Sequence, residues 1–137
     1  MKTSNTTILK FTIVLLMVWG FTGIKAQTQF SAKDIDGTWT REDGMKISIL
    51  GTNTFAEGSQ ALIRAVGKSG WPQNVVDYKY KYQKIKYVGG NTWKGINYRH
   101  RVETGASIED GEAVFTMSDD KKSFKATGGY TYRKDQL

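Results

Sequence analysis

The stretch VVDYKYKYQKIKYVGGNTWKGINYRHRV, from Val75 to Val102, decides the fold. In its first half, Val75–Val88, Tyr78, Tyr80 and Tyr82 share one face of an extended chain, while Asp77, Lys79 and Lys81 share the other. The alternation then slips, because Ile85 and Tyr87 fall on the opposite parity. A change of phase by one residue within a long strand is what a β-bulge produces, and the pattern places it near Gln83-Lys84. Gly89-Gly90-Asn91 turns the chain. Beyond it, Ile96, Tyr98, His100 and Val102 alternate with Asn97, Arg99 and Arg101. Two long strands joined by so short a turn form an antiparallel hairpin.

Working outward, Lys68–Asn74 reads as a loop with Gly70-Trp71-Pro72 at its tip. Gln60–Val66 fits two patterns: Ala61, Leu62, Ala65 and Val66 make a helical face, whereas Leu62 and Val66 also suit alternation. It is taken here as a strand, with a helix left open. Thr54–Ala56 is a short extended run after the turn Gly51-Thr52-Asn53. Met45–Leu50 puts Met45, Ile47 and Ile49 on one face, and Glu42-Asp43-Gly44 joins it to Thr38–Arg41 as a hairpin. Towards the C-terminus, Glu112–Met117 and Ser123–Thr127 are closed by Asp119-Asp120-Lys121-Lys122, and Gly128-Gly129 leads into Tyr130–Arg133. The sum is an all-β antiparallel meander of about eight strands. Such a meander hides its edges best by closing into a barrel, with a sandwich as the alternative.

Before this domain, Lys2 and Lys10 precede an uncharged run from Phe11 to Ile24, followed by Lys25-Ala26-Gln27. A basic start, about 14 apolar residues and a small residue at the cut match a secretory signal peptide, and a membrane span takes about 20 residues. The expected organisation is a signal peptide over 1–26 and one domain over 27–137, with no stable membrane insertion. A 26-residue leader leaves 111 of the 137 residues, enough for one domain. Losing Lys2, Lys10 and Lys25 lowers the formal charge from +7 to +4, a mild excess. The chain has no cysteine, which excludes disulfides, thiolate metal sites and thiol nucleophiles. An exported, cysteine-free domain suits a bacterial periplasm or the surrounding medium.

The opening Asp34-Ile35-Asp36-Gly37-Thr38-Trp39 resembles the Gly-x-Trp start of the lipocalin-like (calycin) barrels. The segment Phe115–Asp120, with Phe124 and Gly129-Tyr130, is similar to the closing hairpins of small exported members. The resemblance implies that Trp39 closes the barrel floor beneath a basic residue of the last strand, here Arg133, by a cation–π contact. The Thr-Asp-Tyr turn of lipocalins has its nearest counterpart in Val76-Asp77-Tyr78, which reads as strand.

Catalytic chemistry is poorly provided for. His100 is the one histidine, and no nucleophile elbow or metal-binding helix frames it. The acidic sets Asp34/Asp36, Glu42/Asp43, Glu109/Asp110/Glu112 and Asp119/Asp120 fall in expected turns and strand ends, where acids are commonly just solvated. The expectation is therefore no enzyme, no metal and no cofactor. Lys79, Lys81, Lys84 and Lys86 among the tyrosines are read as a solvated face rather than a nucleic-acid surface. Aromatic content carries the functional reading. Tyr78, Tyr80, Tyr82, Trp93 and Tyr98 are expected to line a cavity for an apolar or amphipathic small ligand, with Trp71 at its mouth. The alternative is a protein-interaction or inhibitor module whose barrel is filled with side chains.

Overall fold

The computed structural model describes residues 26–137. The expected leader, apart from Ala26, lies outside the described residues. A 3-10 turn, Ala32–Ile35, leads into eight strands: β1 Gly37–Arg41, β2 Lys46–Ile49, β3 Ser59–Ala65, β4 Tyr80–Gly89, β5 Thr92–His100, β6 Ser107–Met117, β7 Ser123–Ala126 and β8 Tyr130–Lys134. Each pairs antiparallel with the next, and β8 returns to β1, so the meander closes into a barrel. Closure satisfies every strand edge without a disulfide, as a cysteine-free chain requires.

Gln60–Val66 resolves as β3, its Ala61 and Ile63 buried while Gln60 and Arg64 face out. Three boundaries differ from the sequence reading. Thr54–Ala56 belongs to the long β2–β3 loop, and Val75 closes a 3-10 turn at Gln73–Val75, so β4 begins at Tyr80. In addition β6 starts at Ser107, which puts Glu109, Asp110 and Glu112 within a strand.

The bulge in β4 lies where the phase slip placed it. Lys84 adopts φ 51°, and the β4–β5 register shifts between Gln83 and Lys86. Two glycines make room for it from either side. A Cβ on Gly95 of β5 would lie 2.7 Å from the Gln83 carbonyl oxygen, and one on Gly58 would lie 2.7 Å from the Lys84 carbonyl carbon. Gly95→Ala is therefore expected to cost about 1–3 kcal/mol by overpacking against backbone that cannot yield. Urea denaturation would measure it, and a cost near zero would show that the bulge is free to move.

The inward faces form one core containing Trp39, Ile47, Ile49, Ile63, Ile85, Trp93, Phe115, Phe124 and Tyr132. At one end, the floor, the segment Phe30–Asp36 crosses beneath the strands. Trp39 Nε1 donates to the Ile35 carbonyl at 2.8 Å, and Trp93 Nε1 donates to the Ala32 carbonyl at 2.9 Å. The Asp36 carboxylate accepts from the Gly51 and Thr52 backbone N–H groups and from the Thr52 hydroxyl, tying the β2–β3 loop to the floor. The floor is thus locked by hydrogen bonds from both buried indoles. The mouth, at the other end, is where Arg41, Tyr80, His100 and Tyr130 lie.

The basic residue that meets Trp39 is Lys134 rather than Arg133. Lys134 Nζ lies 5.3 Å from the indole centroid, within cation–π range. Arg133 is exposed and pairs through its backbone with Thr40. Strand parity explains the difference: Tyr132 points into the barrel, Arg133 points out, and Lys134 returns towards the inner side at the strand's end.

Candidate functional site

The five residues expected to form one cavity wall, Tyr78, Tyr80, Tyr82, Trp93 and Tyr98, are dispersed over the barrel, and Trp71 lies apart from most of them. Tyr82 lies in the lumen, and its hydroxyl meets that of Tyr132 at 3.1 Å. In the closed order β4 and β8 lie across the barrel from one another, so this hydrogen bond spans the lumen. Phe115 packs edge-on against Tyr82 at 4.8 Å, and Phe124 stacks on Tyr132 at 4.9 Å. The middle of the barrel is therefore filled by aromatic side chains. Burial raises the pKa values of both tyrosines above the usual phenolic range, so the pair stays neutral.

Trp93 belongs to the floor, wedged between Tyr87 and Phe30. Tyr98 lies on β5, where its hydroxyl donates to Glu109 at 3.3 Å. Tyr78 precedes β4 and is 79% exposed. Tyr80 and Trp71 mark two distinct surfaces.

Tyr80 faces outward because β4 carries an irregularity beyond the bulge expected from sequence. Leu62 pairs with Tyr80 but Ala61 pairs with Tyr82, so one extra residue stands on β4. Tyr80 therefore joins outward-facing Leu62 while Tyr82 joins inward-facing Ala61. The intervening Lys81 is drawn into the barrel end. On the outside, Tyr80 and Leu62 border a concavity of about 600 Å³ together with Leu50, Phe55, Glu57 and Arg64. Leu50 and Phe55 are 70% and 60% exposed, an unusual state for large apolar side chains standing side by side. Sequence parity within β4 could not reveal this groove, since the irregularity that turns Tyr80 outward shows only in the pairing with β3.

At the mouth, Trp71 folds inward from the β3–β4 loop, and its indole lies 5.5 Å from the His100 ring. Below it sit two buried cations. Arg41 makes a two-pronged ion pair with Asp43 and lies 4.1 Å above the Tyr130 ring. Lys81 is only 6% exposed and donates to the Asn97 side-chain oxygen and to the Tyr98 carbonyl at 2.6 Å. Burial, reinforced by the Arg41 charge and opposed by Asp110, brings the Lys81 ammonium down to about 8. The sequence places Lys81 with Lys79, Lys84 and Lys86 on a solvated face; its burial corrects that expectation, because the β4 irregularity against β3 turns Lys81 into the barrel end. Arg41 is not marked by the sequence.

Among the described residues, no group of three His, Asp or Glu side chains is gathered to hold a metal ion. Nor is any described helix long and apolar enough to cross a membrane. The acidic sets considered from sequence are spread among structural roles: Asp34 pairs with Lys121, Asp36 anchors a loop, Asp43 holds Arg41, and Asp120 accepts from Ser118. The architecture agrees with the eight-stranded barrel that the Gly-x-Trp resemblance implied. No protein-family model matches the chain, and neither the curated proteins nor the solved structures contain a significant match.

Proposed function

We propose that this chain is an exported, non-catalytic binding protein that holds an apolar or amphipathic small molecule in the outer groove beside Tyr80. One observation carries this reading: a concavity of about 600 Å³ flanked by the exposed side chains Leu50 and Phe55. That volume falls within the roughly 300–1,000 Å³ typical of small-molecule sites. Tyr80 and Phe55 offer flat apolar faces, while Arg64 and Glu57 at the border supply polar groups for an amphipathic end. The filled lumen moves the expected ligand from inside the barrel to its wall. Destination in a periplasm or the medium rests on the sequence features of residues 1–26.

A Tyr80→Ala variant is expected to bind a hydrophobic fluorescent dye about tenfold more weakly, from the lost ring area. Its thermal midpoint should stay close to that of the parent, because Tyr80 lies outside the core. Unchanged dye binding would remove the groove from consideration.

The second reading, a protein-interaction module, is favoured by the Tyr82–Tyr132 bond across the lumen, which leaves the loops and outer faces to meet a partner. Native mass spectrometry of protein from its own exported fraction separates the two. A small-molecule adduct released on denaturation supports the groove, and a bare mass favours a protein partner.

A further inference from the structure

The mouth holds two polar groups whose hydrogen-bonding capacity is not met by the protein. Lys81 Nζ has three N–H donors and uses two, on Asn97 and on the Tyr98 carbonyl. It makes no ion pair among the described residues. His100 Nδ1 is enclosed and has no partner among the described residues. Both groups meet at Trp71, whose ring centre lies 5.8 Å from Lys81 Nζ and 5.5 Å from the His100 ring. A buried ammonium without a counter-charge costs free energy that an anion would recover.

The surrounding charges narrow the chemistry. Arg41, from β1, is taken up by Asp43. On the other side, Asp110 of β6 reaches Lys81 only through Asn97, whose Nδ2 donates to it at 3.3 Å, and is also paired with Arg99 at 3.6 Å. Tyr82 and Tyr132 remain neutral, and Glu109 is held by the Tyr98 hydroxyl. One uncompensated positive charge therefore remains, which suits a monoanion better than a phosphate dianion. The ligand must accept one hydrogen from Lys81 and one from His100, in its Nδ1–H tautomer. A carboxylate, with two acceptor oxygens, meets both demands, and its apolar remainder suits the neighbouring indole.

We propose that the mouth of the barrel is a binding site for a small monocarboxylic acid, its carboxylate held by Lys81 and His100 beneath Trp71. The site lies apart from the groove beside Tyr80 and does not depend on it. Binding requires the ammonium form, so affinity holds below the Lys81 pKa of about 8 and declines above it, approaching tenfold for each further pH unit.

Because the chain has one histidine, the His100 imidazole signals report on this site without ambiguity in a proton NMR titration. The probes are sodium benzoate and sodium chloride at matched ionic strength. Benzoate should shift the His100 signals saturably, with weakening above pH 8, and chloride should not. Lys81→Met should weaken benzoate at least tenfold. Should Lys81→Met fail to fold, Trp71→Ala tests the same site from the loop side, with at least a fivefold loss expected. A linear response equal for benzoate and chloride, or an undiminished response in both variants, would overturn the proposal.

Discussion

Trp39→Ala lowers the free energy of unfolding by about 4 kcal/mol, the largest loss expected from any single truncation in this chain. The indole is fully buried, packs edge-on against Phe124 at 4.7 Å, and donates to the Ile35 carbonyl at 2.8 Å. Truncation opens a cavity at the floor and leaves that carbonyl without its donor, two costs that add. A domain of this size has a total stability of about 5–15 kcal/mol, so the variant sits near the edge of folding. Lys134→Ala, by removing the cation over the ring, should cost about 0.5–1 kcal/mol, and Arg133→Ala should cost almost nothing. Urea titration followed by circular dichroism measures all three. A loss below about 1 kcal/mol for Trp39→Ala would mean that the floor is held elsewhere.

Asp43→Asn should cost about 3 kcal/mol at neutral pH, because it leaves Arg41, 5% exposed, as a buried charge without its partner. Replacing both, as Arg41→Met with Asp43→Asn, should restore most of the loss, since the penalty arises from the orphaned charge. The pH dependence follows from the same pair. The Arg41 hydrogen bonds hold the Asp43 carboxyl below the usual carboxylate range. A depressed carboxyl contributes its stability fully above the unfolded value, about pH 4, and loses it as pH falls through the lower folded value. The parent protein should therefore lose stability more steeply than Asp43→Asn on acidification below about pH 4. Parallel curves for the two proteins in that range would show that the pair carries no such coupling.

The strand content, the hairpins at Glu42-Asp43-Gly44 and Gly89-Gly90-Asn91, and the slip at Gln83-Lys84 were all legible in the residues. Each depends on neighbours a few positions apart: alternation records which face is buried, and turn residues record local backbone freedom. The floor was also legible in part, since Gly37-Thr38-Trp39 marks its buried indole. Placing the partner of Trp39 required knowing where β8 ends against β1, a pairing of residues about ninety positions apart. The expectation of Arg133 misses Lys134 by that single step of parity.

The candidate sites were much less legible. Trp71 was marked by its place beside Pro72, but its neighbours Lys81 and His100 come from other elements. Tyr78, Tyr80 and Tyr82 shared a face in the sequence and share none in the barrel, because the second irregularity of β4 shows only against β3. Sequence alone determined an all-β meander, because periodicity and turn chemistry are local properties of a chain. Tertiary structure decided that the lumen is filled, that Tyr80 faces a groove and that Lys81 is buried without a counter-charge. Those outcomes depend on strand register and closure, which are set by packing between segments far apart in the chain.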